Sequence, residues 1–412
     1  MSYRTLRFAI PLGIAAALVV ALPAPAQAQF GGLGKKIKEK ATQRANQKED
    51  EAAQAAVDAA DPTKAKSAAP GDKAATAETA PSSASGPAAR TRTVAANYDF
   101  VPGQRTLYYN DFTDEQVGNF PRRLGFGSGS MEVVELDGQR ALKASTSSGF
   151  VITLPETLPE KFTIELDVVN RNSNGVGAAT VEIFPGGEAD FAGKKTHVAY
   201  GHNGWDVDGG GTHATAMFTS EERGRLVGQP VGVKVLGDGP YLKLYADTRR
   251  LANVPNADFP RSNKLFVQME ARDDGDNAVY VTRIRVAESQ KTIYDALAST
   301  GKWATQGILF ETGKAEVRPE SAPTLREIAS ALKAHPELKV QIGGHTDNVG
   351  QAAANQKLSQ ARADAVKAAL VADYGIADDR METRGFGDTK PVASNGSAEG
   401  RANNRRVEFI KL

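Results

Sequence analysis

Residues 343–366 read GGHTDNVGQAAANQKLSQARADAV, and the reading of this stretch decides the fold of the C-terminal part of the chain. Leu338, Val340 and Ile342 alternate just before it, the pattern of a strand buried on one face. Two glycines and His345-Thr346-Asp347 follow. A helical pattern then runs on, with Leu358, Ala361, Ala365 and Ala369 at three- and four-residue spacing and Gly375 where the helix should stop. Asp347 therefore falls on a loop at the C-terminal end of a strand, and Arg362 in the second turn of the next helix. Ligand crevices of open α/β sheets form at that end of the strands. A carboxylate and a guanidinium held close together match a zwitterionic amino acid, ammonium to Asp347 and carboxylate to Arg362. Asn355, near the helix N-terminus, is placed to cap the helix or to donate to the same carboxylate. The spacing is equally satisfied by a structural Asp347–Arg362 ion pair with Asn355 as a plain cap.

Further motifs occur in order around this stretch: Phe310-Glu311-Thr312-Gly313-Lys314 upstream, N-x-x-L-S-x-x-R-A over 355–363, Gly385-Phe386-Gly387, and Asn403-Asn404-Arg405-Arg406-Val407. Together with GHTDNVG they resemble the OmpA-like C-terminal domain, over residues 292–412. The resemblance implies non-covalent binding of peptidoglycan at the diaminopimelate of the stem peptide. Its ligand-binding Asp and Arg fall on Asp347 and Arg362, and Asn355, Thr312, Gly313 and Arg405 match further contact positions. Glu311 stands where the family often has Asp.

The 412 residues leave room for two or three domains. With 50 Lys plus Arg against 49 Asp plus Glu, the charge balance gives no case for a nucleic-acid partner. The chain has no cysteine, which excludes disulfides, thiolate metal sites, a cysteine nucleophile and a lipoprotein anchor. Arg4 and Arg7, an apolar run over 8–22 and Ala26-Gln27-Ala28 read as a signal peptide over 1–28, too short to span a bilayer. Residues 29–97 are charged, with Lys35, Lys36, Lys38 and Lys40 near the start, then rich in Ala, Pro and Ser. They read as a disordered linker.

Residues 98–289 read as an antiparallel β-sandwich, jelly-roll-like. Phe162, Ile164, Leu166 and Val168 alternate with Thr163, Glu165 and Asp167, and similar runs occupy 107–112, 131–136, 178–184, 231–236, 241–246, 265–271 and 279–286. Asp137-Gly138, Asn174-Gly175, Pro185-Gly186-Gly187, Gly237-Asp238-Gly239 and Asp274-Gly275-Asp276 mark turns. The domain is similar in shape to laminin-G or concanavalin-like sandwiches, which implies a glycan- or protein-binding module. Glu165 and Asp167 share a strand face, as paired carboxylates do in some glycosidases, but their period puts them on a solvated polar face. His197, His202 and His213, with Asp206 and Asp208, lack a helical ligand spacing and read as exposed loop residues, so no metal is expected; Trp205 and Tyr200 could stack a sugar. No motif calls for a cofactor.

Residues 290–412 read as an α/β sandwich. A short helix over 292–299 leads in and 308–310 forms a strand. A helix from Pro319 carries Leu325, Ile328, Ala329 and Leu332 on one stripe, and 338–342 is the second strand, parallel to the first. A strand over 381–386, a helical turn over 398–402 and a last strand with Val407 and Phe409 complete it. Arg405 and Arg406 are adjacent and point oppositely in a strand, so only one of them can reach the crevice; the resemblance implies Arg405. His345 reads as a packed or loop-bonding residue. The chain thus reads as a non-enzymatic protein of a Gram-negative envelope, periplasmic and associated with the outer membrane. Its partners are peptidoglycan and a glycan or envelope protein at the sandwich, with no transmembrane span in the mature chain. The competing reading is a sandwich-fold polysaccharide hydrolase localised to the wall by its C-terminal domain.

Overall fold

Alternation of apolar and polar residues at period two dominates the middle of the chain, and the strands it dictates are there. The computed structural model describes residues 98–171, 179–189, 196–201, 203–209, 211–271, 277–289 and 292–412, all within one compact unit ending at Leu412. The expected signal peptide over 1–28, the expected linker over 29–97, His202 and the turns expected at Asn174-Gly175 and Asp274-Gly275-Asp276 lie outside the described residues.

The strands of the middle region are β1 (Arg105–Asn110), β2 (Gly125–Ser128), β3 (Met131–Leu136), β4 (Gln139–Ala144), β5 (Ser148–Thr153), β6 (Lys161–Asn170), β7 (Ala179–Pro185), β8 (His197–Gly201), β9 (Gly204–Gly209) and β10 (Thr212–Met217). A short helix, α1 (Ser220–Leu226), separates these from β11 (Pro230–Asp238), β12 (Tyr241–Ala246), β13 (Arg249–Val254), β14 (Lys264–Met269) and β15 (Val279–Glu288). One antiparallel sheet has the order β13-β12-β11-β6-β15-β4-β3, with β1 also on β15; the other runs β10-β9-β8-β7-β14-β5-β2. Side chains of both sheets, among them Ile164, Leu166, Val233, Ile284, Val181, Val198 and Val267, share one buried apolar cluster. At Asp137-Gly138 both residues have positive φ, 50° and 82°, the conformation that a two-residue hairpin turn demands, and it joins β3 to β4 in register.

Three readings of this region fail. Glu165 is not on a solvated face: it is 6 % exposed and pairs with Arg285 at 2.7 Å and Arg283 at 3.5 Å. Arg285 also donates to the carbonyl of Gly103 and to Gln306 Oε1, because the segment before β1 and the start of the C-terminal region cover that face. The His197–Asp208 segment is not a loop either. Its glycines punctuate a meander, β8-β9-β10, that ends the second sheet. Tyr200 points into the core and is 3 % exposed, so it forms no stacking platform with Trp205.

The C-terminal region consists of α2 (Ile293–Thr300), β16 (Lys302–Thr305), a 3-10 turn at Pro319–Ser321, α3 (Ala322–Ala334), β17 (Val340–His345), α4 (Ala352–Tyr374), β18 (Met381–Gly387), α5 (Ala398–Asn404) and β19 (Val407–Lys411). The sheet order is β16-β19-β17-β18; β17 and β18 are parallel, and the other pairs are antiparallel. The strand expected at 308–310 is absent: Phe310 makes only an isolated bridge to Val317. The edge strand is instead β16, and β19 lies between it and β17, so those two do not pair directly. Leu325, Ile328, Ala329 and Leu332 form the buried stripe of α3 as their spacing requires. Gly375 ends α4 in the left-handed conformation, φ 66°, with amides 375 and 376 returning to carbonyls 371 and 370.

The buried stripe of α4 is Asn355, Ser359, Ala363, Val366 and Leu370, not the one through Leu358, Ala361, Ala365 and Ala369. The cause is close approach. A Cβ on Gly344 would lie 2.1 Å from the Ser359 carbonyl oxygen, and one on Gly385 2.5 Å from the Gln360 amide nitrogen. Only small or hydrogen-bonding residues of the helix fit over those glycines; Ser359 Oγ accepts from the Gly387 amide at 2.8 Å, and Gln360 Oε1 from the Gly385 amide at 2.6 Å. Gly344→Ala should therefore push α4 off the sheet and destabilise the region by about 1–3 kcal/mol. A urea midpoint equal to the parent's would contradict this packing.

Candidate functional site

The end of β17 sets the first member of the site. After His345 the chain leaves the sheet, and Asp347 sits in the loop that leads to α4, with its Oδ1 accepting from the Val349 amide at 3.1 Å. Asn355 fixes the loop from the helix side: its amide nitrogen donates to the carbonyls of Asp347 (3.3 Å) and Val349 (3.1 Å). The helix begins after Gln351, so Asn355 lies inside it and caps nothing. It is 7 % exposed, with its side chain committed to the loop.

Arg362 belongs to the third turn of α4, not the second. Its guanidinium does not pair with Asp347. Nε donates to the Lys314 carbonyl at 3.0 Å, Nη2 approaches the Glu311 carbonyl at 3.5 Å, and the group lies 4.9 Å over the Phe310 ring. Burial first, and then the neighbouring Arg405 cation, draw it below its ordinary pKa, against the pull of Asp347; it stays a cation. Thr312 and Gly313 form the exposed tip of the turn that presents those carbonyls, closed by the Lys314 amide on Glu311 at 3.0 Å, with Gly313 at φ 71°. They adjoin Arg362 through this turn.

Arg405 is the side chain that meets Asp347, with Nη1 2.5 Å from Oδ2. It is the C-cap residue of α5, two positions before β19 begins at Val407. Arg406 turns the other way, 8 % exposed, to Glu408 and the carbonyls of Asn404 and Lys390. The site is thus one carboxylate and two guanidiniums, of which the carboxylate is nearly covered and Arg405 is still 40 % exposed. The two-sheet middle region also contributes, which no motif in the sequence signals. Tyr109 Oη lies 3.5 Å from Arg405 Nη2. Asp114 receives the Ala398 amide at the start of α5 and pairs with Arg401 at 2.8 Å, while Arg123 pairs with Glu399 at 2.5 Å. These contacts join residues nearly 300 positions apart, and no local pattern announces them.

His345 stacks on Phe386 at 4.9 Å, with Nε2 3.2 Å from a Glu408 oxygen in ion-pair range but off hydrogen-bond alignment. Burial is the main reason its pKa lies below the usual 6.5; Arg406 and Lys390 act in the same sense and Glu408 opposes them. The folded state therefore refuses a proton that the unfolded chain accepts below about pH 6.5, and stability falls as pH drops from there toward the folded value. His345→Gln should flatten that limb of a melting-temperature–pH curve; an unchanged slope would show that another group produces it.

A family-level comparison agrees with this architecture. Residues 309–405 match the OmpA family. Over 101 residues the chain is 44% identical to outer membrane porin F of Pseudomonas aeruginosa, covering 24% of this chain and 29% of that protein. Over 103 residues it is 44% identical to the peptidoglycan-binding protein ArfA of Mycobacterium bovis, covering 25% and 31%. The match thus spans less than a third of either relative. Among solved structures, the peptidoglycan-associated lipoprotein of Burkholderia pseudomallei is 33% identical over 26% of this chain and 88% of that one, with a TM-score of 0.24. The C-terminal part of this chain is an OmpA family domain, matched over residues 309–405.

Proposed function

We propose that the chain is a Gram-negative cell-envelope protein, periplasmic and associated with the outer membrane, whose OmpA family domain holds peptidoglycan non-covalently. The observation that carries this reading is the group at the strand ends, one carboxylate and two guanidiniums, Asp347, Arg362 and Arg405. It lies in a domain whose relatives include a protein named for binding peptidoglycan. The ligand we assign is the zwitterionic end of diaminopimelate in the stem peptide. Its ammonium goes to Asp347 and its carboxylate to Arg362, with Arg405 free to share either charge. Asn355 holds the loop, and the turn at Thr312 and Gly313 forms the rim. A single such site is weak, and retention comes from the many repeats of the polymer.

The two-sheet middle region we read as a jelly-roll-like sandwich that binds a second envelope ligand, a glycan or a protein. A hydrolase built on Glu165 and Asp167 draws no support from the geometry. Burial would raise Glu165, but Arg285 and Arg283 together hold it below its ordinary value, and Asp167 takes two contacts from Arg283 at 2.6 and 3.0 Å. A glycosidase needs one carboxyl kept protonated near neutrality.

Asp347→Ala and Arg362→Ala should each lower retention on purified peptidoglycan at least about tenfold, since each removes charge-assisted hydrogen bonds of about 1.5–3 kcal/mol. Co-sedimentation of the full chain with the wall reads this, with melting temperature as the check on folding. Parent-like sedimentation of both folded variants would reject the site.

A further inference from the structure

The meander β8-β9-β10 brings together side chains that neither the fold nor the wall-binding reading uses. Val198, Tyr200 and Val207 face the core, so the alternate positions face outward. In register, His197 of β8 sits opposite Asp208 of β9, and Asp208 opposite His213 of β10. Asp206, two residues before Asp208 on the central strand, shares their face. Three adjacent strands thus carry a row of imidazole, carboxylate and imidazole, with a second carboxylate beside it.

The separations are those of ligands around one small cation. His197 Nε2 lies 3.2 Å from Asp206 Oδ2; His213 Nδ1 lies 3.5 Å from Asp206 Oδ1 and 3.8 Å from Asp208 Oδ2. Ligand atoms of His197, Asp206 and Asp208 all fall within 4.8 Å of one another. In a tetrahedral site with bonds of roughly 2.0–2.1 Å, neighbouring ligand atoms are roughly 3.3 Å apart. Asp206 Oδ1 is buried without a hydrogen bond, and so is His197 Nδ1. A buried carboxylate oxygen left this way costs free energy unless something else satisfies it. The paired Asp206 and Asp208 also bring two negative charges to one face, balanced by neither Lys nor Arg in any contact described for them.

We propose that His197, Asp206, Asp208 and His213 bind a divalent transition-metal ion of the zinc type on the outer face of this sheet. Mixed imidazole and carboxylate donors select zinc, cobalt or nickel over calcium and magnesium, which take oxygen ligands. His213, exposed, closes on the ion from the edge strand; His197, stacked on Phe184 at 5.2 Å, is fixed before it arrives. Beside His197 and Asp206 opens a cavity of about 290 Å³, lined also by Glu182, Trp205, Thr215 and Met217. Any coordination position that the four side chains leave vacant therefore faces solvent and can exchange water or a small oxygen ligand.

The test uses the full chain freed of metal, with Co2+ as the spectroscopic probe. One equivalent should bind with the visible absorption of a four- or five-coordinate nitrogen and oxygen site, and Zn2+ should displace it where Mg2+ and Ca2+ do not. Asp206→Asn keeps the shape and removes a charge, and should weaken binding by at least about tenfold, as should His213→Gln at the exposed end of the row. His335→Gln, a histidine of the C-terminal region stacked on Tyr294, should bind like the parent. Melting temperatures of the metal-free variants establish that they are folded. Absence of stoichiometric Co2+ binding by the parent, or parent-like affinity in folded Asp206→Asn and His213→Gln, would overturn the assignment and leave the row as histidine–aspartate pairs.

Discussion

The contact on which the C-terminal region depends is the close approach of a helix backbone to two strand glycines. Gly344 of β17 and Gly385 of β18 have no side chain to hold α4 away, and Ser359 and Gln360 lie directly over them. That approach explains why polar Asn355 and Ser359 are buried while Leu358 is only half-buried. It also sets the site. With the helix pressed down, Asn355 reaches the carbonyls of the Asp347 loop, and Arg362, two turns further on, reaches the Glu311–Lys314 turn. Loop, helix and turn are thereby held to one another by hydrogen bonds that a larger residue at either glycine would lengthen.

Charge then decides what the site can take. The sequence pattern offered Asp347 and Arg362 as partners for each other or for a ligand. The structure gives a third arrangement, in which Asp347 is held by Arg405 and Arg362 is held by backbone carbonyls. Carbonyls orient a guanidinium without neutralising it, so Arg362 keeps its full attraction for an anion. Arg405, partly exposed and beside Tyr109, is the cation that the ammonium of the proposed ligand would displace or join. The same part of the two-sheet middle region grips α5 through Asp114 and Arg123, so Arg405 is steadied from both parts of the unit.

Much of this was legible in the residues. The alternation of Phe162, Ile164, Leu166 and Val168 marked β6, Asp137-Gly138 marked the β3–β4 hairpin, and Gly375 marked the end of α4. What failed did so for physical reasons. The apolar run 308–310 looked like a strand, yet the sheet edge is taken by Lys302–Thr305, whose Trp303 packs against Phe409 across β19. The stripe of α4 was misplaced because alanines and a leucine outscore serine and asparagine in any hydrophobic pattern, whereas contact over glycine favours small residues. The outward row on β8-β9-β10 was hidden because Gly201, Gly204 and Gly209 imitate loop composition. Glu165 appeared solvated because a strand cannot report that its polar face is covered by a distant part of the chain.

The most direct measurement is a crystal structure of the full chain with a diaminopimelate-containing stem peptide. The ligand's ammonium should lie in hydrogen-bond reach of Asp347, its carboxylate on Arg362, and Arg405 should be shifted from its present contact. A peptide seated elsewhere, with the Asp347–Arg405 pair intact and Arg362 still bound only to the Lys314 and Glu311 carbonyls, would contradict this arrangement.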